Sequence, residues 1–255
     1  MKLFRPCAAL RDRVVHLAFV ENDGGELSVL PTAGAVLGFQ FHGRVRAGVE
    51  LLSPAGVTGI QKSAREYGYV GPTASLLVRF TPQGATCLGV PASDLANHSA
   101  PLDVLIGPAR ARQARERLLD ARNADDRRAI VEQLLLDLPF APDPVIERAL
   151  RLLDSAPDES ASVARVARSV SLSERQLERR FLQRVGITPK HFASLRRFER
   201  AVALARTAPS LTAAALEAGY YDQSHFIREV RRFAGATPGQ LRLREPEMSD
   251  LSNSR

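Results

Sequence analysis

The sequence predicts an α+β chain in two parts: a small β-rich N-terminal domain, then a helical connector and a C-terminal all-α domain with two helix-turn-helix units. Three observations predict it. Short apolar runs broken by Gly and Pro fill residues 1–108. From residue 109 onward the apolar residues fall at helical spacing. Between Val163 and Leu241 one pattern occurs twice, at an offset of 49 residues. The expected boundaries are 1–108 for the β-rich domain, 109–141 for the connector, 142–244 for the helical domain and 245–255 for a disordered tail.

In the first part, the runs 14–20, 28–30, 35–41, 45–52 and 75–80 read as strands of a small barrel or sandwich. Gly24-Gly25 and Gly43 mark turns. The run 74–80 has few polar residues and is expected to be buried. Short helical turns are expected within 81–95, with 93–97 as one candidate. Tyr67, Tyr69, Phe39 and Phe41 suit a pocket lining or a packed core equally well. Cys7 and Cys87 are too few for a disulfide framework or a four-cysteine zinc site and read as ordinary thiols.

Residues 109–123, 125–138 and 145–153 read as three helices, broken by Pro139, Pro142 and Pro144. The pair Asp125-Asp126 suits a helix start, where carboxylates meet the positive end of the dipole. The first of these helices is rich in arginine but balanced by acids, which favours a connector or dimer contact over a phosphate contact.

The repeat comes next. Its first copy runs from Ser173 through Leu177, Phe181 and Gly186 to Thr188-Pro189. The second runs from Asp222 through Phe226, Val230 and Gly235 to Thr237-Pro238. Ser173 with Gln176 forms a capping box, and Asp222 is a cap without the reciprocal glutamine. Gly186 and Gly235 can take the left-handed conformation that ends a helix, and each Thr-Pro opens the next one. A shorter helix precedes each copy, at 162–169 and 211–218, with Ala167, Ala214 and Ala215 small enough for a close crossing. Short helix, tight turn and capped helix is the helix-turn-helix plan. The first turn is one residue shorter than the second and lacks the glycine that Gly219 supplies.

The helix faces give the repeat its chemistry. Leu177, Phe181 and Val185 share one face, as do Phe226, Val230 and Phe233. Opposite them lie Arg175, Arg179 and Gln183 in the first copy, and Ser224, Arg228 and Arg232 in the second, with His225 at the margin. A guanidinium fork fits guanine edges and phosphates. Residues 189–207 read as one helix between the copies. Its length of roughly 28 Å approaches the roughly 34 Å pitch of B-DNA, so it could place two reading helices in successive major grooves.

The run Ala218-Gly-Tyr-Tyr-Asp-Gln-Ser-His-Phe226, with Arg228 and Gly235-Ala-Thr-Pro238, resembles the signature of the AraC/XylS family of bacterial transcription regulators. The resemblance implies a seven-helix DNA-binding domain. It also implies base contacts from Arg175, Glu178 and Arg179 in the first unit and from Gln223, Ser224 and Arg228 in the second. Phosphate contacts are expected from Gln183, Lys190, Arg196, Arg197 and Arg232. The runs from Leu30-Pro-Thr-Ala-Gly to Val78-Arg79-Phe80 and Leu88-Gly-Val-Pro91 resemble, more loosely, cupin-like domains found ahead of this module.

Charge agrees with the functional part of this reading. The chain of 255 residues carries a net +7, and residues 156–246 hold 16 basic against 9 acidic side chains. Residues 1–108 hold 9 against 8, so the excess sits in the repeat. No apolar run approaches a membrane span and no signal-peptide core opens the chain, so a cytoplasmic location is expected. The expected function is a sequence-specific DNA-binding transcription regulator, with no catalytic residues, metal or cofactor and double-stranded DNA as partner. The sequence leaves open an RNA polymerase contact, a small-molecule effector and a homodimer. The alternative is a metal-dependent cupin-type enzyme with a DNA-binding appendage. Against it, His16, His42 and His98 stand alone and no His-x-His occurs.

Overall fold

The computed structural model describes residues 1–155, 162–205 and 207–242. The expectation for the tail at 245–255 lies outside them. The N-terminal half is a single antiparallel sheet. Its strands are β1 (Lys2–Phe4), β2 (Val14–Asn22), β3 (Gly25–Val29), β4 (Val36–Ala47), β5 (Glu50–Leu51), β6 (Ala55–Thr58), β7 (Arg65–Phe80) and β8 (Ser99–Pro101). The order is β1-β2-β7-β4-β6-β8, with β3 beside β7 and β5 beside β4.

Two long strands organise it. β7 is 16 residues long; its second half pairs with β2 (Val20 opposite Ser75) and its first half with β3 (Leu27 opposite Tyr67). β4 likewise pairs with β6 through its first half and with β5 through its second. Both strands bend in the middle. Gly71 has φ +71° and Gly43 φ +66°, and the β4–β7 register shifts between Gln40 and Arg44. A Cβ on Gly43 would lie 2.5 Å from the Pro72 carbonyl oxygen, so only glycine lets the two strands approach there. The expected turn at Gly43 and the separate strands at 35–41 and 45–52 are therefore corrected. One strand passes through a bulge, which bends a strand without ending it.

Side chains alternate across the sheet. Leu37, Phe39, Leu76, Val78 and Phe80 point to one face and are fully enclosed against helices α3 (Pro108–Asp120) and α4 (Ala124–Leu136), whose Leu118, Val131 and Leu135 complete the core. Gly38, Gln40, Ser75 and Leu77 point the other way, into a cavity of about 460 Å³. The bent halves of β4 and β7 bring Val45, Tyr67 and Tyr69 to the same cavity. Of the four aromatics singled out in the sequence, only the two tyrosines line it. Phe39 is core, and Phe41 stacks on Phe19 with Arg127 over its ring at 4.1 Å.

Short helical pieces follow β7: a 3-10 turn at Gly84–Leu88, then α1 (Ala92–Leu95) and α2 (Leu102–Ile106). Asn123 caps α4 by accepting from the Asp126 amide at 2.9 Å, which sets its start. The remaining helices are α5 (Pro144–Asp154), α6 (Ser162–Ser169), α7 (Glu174–Val185), α8 (Pro189–Ala205), α9 (Leu211–Glu217), α10 (Gln223–Ala234) and α11 (Pro238–Arg242). They enclose a second core of Ile146, Leu177, Phe181, Leu195, Phe198, Val230 and Phe233. Leu30, Ala33 and Ile60 of the N-terminal half are buried in this same core.

Candidate nucleic-acid interface

The two repeat copies are built by the same local rules. The Ser173 side chain accepts from the Gln176 amide at 3.2 Å, while the Gln176 side chain accepts from the Ser173 amide at 2.9 Å, so both halves of the box are closed. Asp222 accepts from the His225 amide at 2.6 Å. Gly186 (φ +90°) and Gly235 (φ +62°) end α7 and α10 in the left-handed region.

The turns before these helices are also alike, which the sequence concealed. The Leu172 amide donates to the Ala167 carbonyl at 2.9 Å, and the Tyr220 amide to the Ala215 carbonyl at 3.0 Å. Ser171 (φ +58°) takes the left-handed role that Gly219 (φ +91°) takes in the second unit. The extra residue of the second turn is Tyr221, which stands 90 % exposed between turn and cap. The length difference therefore adds a surface side chain and leaves the closing hydrogen bond unchanged.

Packing fixes what each helix presents. Leu177, Phe181 and Val185 of α7 and Phe226, Val230 and Phe233 of α10 are buried. Phe181 meets Phe192 of α8 edge-on at 5.6 Å, and Phe233 stacks on Phe198 of α8 at 4.9 Å. Arg175, Glu178, Arg179 and Gln183 on α7, and Gln223, Ser224 and Arg228 on α10, are all exposed. Among the described residues no acid pairs with Arg175, Arg179 or Arg228. Lys190 is exposed at the start of α8. Arg232 is half exposed, 3.3 Å from Glu229 and 3.0 Å from the His191 ring.

Other arginines of the region serve the fold. Arg180 grips Asp143 with two nitrogens, and Arg184 lies 3.9 Å from the same carboxylate. Asp143 is the α5 cap and also accepts from the Val145 and Ile146 amides at 3.0 and 3.3 Å. Burial alone would raise its pKa, but Arg180 and these amides hold it below the ordinary carboxylate value. The dipeptide Asp143-Pro144, a cap followed by a first-turn proline, is the sequence signal that could have found it.

Two expected phosphate contacts are corrected. Arg197 is buried, lies 3.7 Å from Glu229 and stacks over the Tyr220 ring at 5.1 Å, so it ties α8 to α10 and faces no solvent. Arg196 bridges Asp154 of α5, at 2.7 Å, and Glu199. Its guanidinium is committed to these two carboxylates, which outweigh burial and hold its pKa above the usual arginine value.

A buried pair with no local signal in the sequence joins the two halves of the chain. Arg79 of β7 donates to Glu199 of α8 at 2.9 Å, and the Ala33 amide donates to the same oxygen at 3.1 Å. Nearby, the Gln83 side chain and the Asp143 backbone exchange hydrogen bonds of 3.3 and 3.1 Å. Among the described residues no group of three His, Cys, Asp or Glu side chains is placed to hold a metal ion, and no helix is long and apolar enough to cross a membrane.

Comparison with known proteins agrees with this geometry. The family described as "Helix-turn-helix domain" matches residues 166–244. The regulator MtrA of Neisseria gonorrhoeae is 30 % identical over 87 residues, which span 34 % of this chain and only 29 % of that relative. ToxT of Vibrio cholerae has a similar fold in two solved structures, each with a TM-score of 0.50 and 9 % identity. Each likeness covers 88 % of this chain, with 93 % and 96 % of the respective ToxT chains. Residues 166–244 thus match a helix-turn-helix domain, and over about a third of its length the chain is similar to a known transcriptional regulator.

Proposed function

We propose that the chain is a sequence-specific DNA-binding transcription regulator whose two helix-turn-helix units, α6–α7 and α9–α10, read successive major grooves. One observation carries this reading: the division of the arginines. Arg180, Arg184, Arg196 and Arg197 are held by internal carboxylates, whereas Arg175, Arg179 and Arg228 face solvent on the outer sides of α7 and α10. Free guanidinium forks on two helices of one plan suit base edges. The helix α8 between them has 17 described residues, about 25 Å at 1.5 Å per residue, or about three-quarters of one duplex pitch of about 34 Å, so the turns at its ends must supply the rest of the spacing.

In this reading Arg175, Glu178, Arg179, Gln223, Ser224 and Arg228 meet bases. Gln183, Lys190 and Arg232 meet phosphates and fix the register. Residues 1–108 form a cupin-like roll that acts as sensor, 109–141 connect, and 142–244 bind DNA. The cavity of the roll is the effector site. ToxT has been solved with an unsaturated fatty acid bound. Among the described residues that line the cavity Glu50 is the one charged side chain, and Arg65 beside it lies 3.6 Å from its carboxylate, so an uncharged and mainly apolar small molecule suits this lining.

Selection from random duplexes tests the reading. The chain should enrich an asymmetric site of about two helical turns. Arg179→Ala and Arg228→Ala should each cost about 1–3 kcal/mol and relax preference in one half of that site. Arg232→Ala should weaken all duplexes alike and lower the salt slope by about 1. Uniform weakening by the first two variants would make them phosphate anchors, and no enriched sequence at all would end the regulator reading.

A further inference from the structure

Between β6 and β7 the chain leaves the cavity and returns to it. Thr58 and Tyr67 line the cavity, and so does Ser99 of β8. Their feet are tied together: Thr58 Oγ1 and Ser99 Oγ are 2.9 Å apart, and Arg65 donates to Ser99 at 2.9 Å. Residues 59–64 form the excursion. They are pinned along one side to residues 95–98. The Gly59 amide donates to the His98 carbonyl at 3.0 Å, the Asn97 amide to the Ile60 carbonyl at 3.0 Å, and the Lys62 amide to the Asn97 side chain at 2.9 Å. A Cβ on Gly59 would collide with the Leu95 backbone, so the two segments are in closest backbone contact there. Hydrogen-bonded this way, residues 59–64 and 92–98 form one stiff bracket.

The far side of the bracket touches both reading helices, each at its C-terminal end. A Cβ on Gly186, the cap of α7, would lie 2.7 Å from the Ala92 carbonyl oxygen and 3.1 Å from the Ile60 side chain. The Ala64 amide donates to the Phe233 carbonyl in the last turn of α10 at 2.6 Å. Ile60 itself is buried in the core of the helical half. One small unit therefore has its feet in the cavity wall and its two hands on the ends of α7 and α10.

We propose that this bracket transmits occupancy of the cavity to the relative placement of α7 and α10, so that a ligand between Tyr67, Thr58 and Ser99 changes DNA affinity. The proposal rests on the reading of α7 and α10 as DNA-reading helices and of the cavity as an effector site. Coupling between two sites requires an element whose placement both of them bias. The bracket is that element, because it cannot shift at the cavity without moving Ala64 and Ala92 at the helix ends.

The test uses the full chain and needs no identified effector. Thr58→Val combined with Ser99→Ala removes the tied feet, and Ser99→Ala alone is the milder variant should the pair not fold. Amide hydrogen exchange should then accelerate about tenfold at residues 59–64 and also at 182–187 and 231–236, the ends of both reading helices. Acceleration that stops at the bracket overturns the proposal. In parallel, affinity for the selected duplex should change about fivefold or more. Ile130→Ala, which loosens the other core, should leave that affinity unchanged. Exchange that spreads with no change in affinity also overturns it. A wild-type chain that selects no duplex sinks the DNA-binding reading instead, while the exchange result still decides whether the bracket joins cavity and helix ends.

Discussion

Breaking the Arg79–Glu199 pair should separate the two halves of the chain energetically. The two side chains are 7 % and 6 % exposed, at 2.9 Å. Removing one partner of a buried pair costs about 3–5 kcal/mol when the survivor is left uncompensated. Here the survivors differ. After Arg79→Met, Glu199 keeps Arg196 and the Ala33 amide, so about 2 kcal/mol is expected. After Glu199→Gln, Arg79 and Arg196 both lose the charge of this carboxylate, so about 3–4 kcal/mol is expected. The double variant should cost about 2 kcal/mol less than the sum of the singles, because the interaction between the two side chains can be lost only once. Urea unfolding followed by circular dichroism measures all four corners of the cycle, provided the m-values agree. Additivity within about 0.5 kcal/mol would refute the reasoning, since it would mean that the pair contributes nothing as a pair.

Other outcomes follow from local geometry. Ser171→Gly should stabilise the chain by about 0.5–1 kcal/mol, because Ser171 holds a left-handed φ of +58° that costs a residue with a Cβ; a lower melting temperature would contradict it. Gly186→Ala should destabilise by more than about 1 kcal/mol, since φ is +90° and the new methyl would meet the Ala92 carbonyl oxygen, as read by thermal melting. Ser173→Ala should cost about 1 kcal/mol by opening the capping box, and the loss should show as faster exchange in the first turn of α7. His16 and His191 both have their pKa lowered to about 4 by burial, helped by Arg79 for the first and by Arg232 and Lys62 for the second. The unfolded chain therefore binds more protons between pH 6.5 and 4. Stability should be full above about pH 6.5 and fall toward pH 4, by about 1–2 kcal/mol for each histidine once solvent screening of these half-buried rings is allowed for. A melting temperature flat across that range would show that neither ring is held neutral.

What was legible in the sequence was mostly local. Caps, left-handed glycines and helical periodicity depend on neighbours within a few residues, so α7 and α10 could be placed from Ser173, Gly186, Asp222 and Gly235 alone. The sheet depends on distant pairing. The run at 75–80 was visible, but nothing near Gly71-Pro72 signals that the same strand begins at Arg65, because a glycine and a proline ordinarily read as a turn. The charge pattern was also ambiguous at short range. Arg196 and Arg197 look like Arg175 and Arg179 in sequence, and only their distant partners Asp154, Glu199 and Glu229 separate structural arginines from free ones. Ser171 was misleading for a related reason: a serine can take the conformation of a glycine when the closing hydrogen bond demands it.

The length of β7 has a consequence for how this chain can change over time. The strand leaves the bracket at Arg65, passes both walls of the cavity and ends beside the residue that holds α8. Side chains on a strand alternate, so one inserted or deleted residue reverses every position beyond it. A single-residue change in the middle of β7 would turn Leu77 away from the cavity and Arg79 away from Glu199 in the same step. The tip between β4 and β5, where Val49 is fully exposed, faces no such demand. Relatives of this protein should therefore vary in length at Gly48-Val49 and keep the count from 65 to 80 fixed.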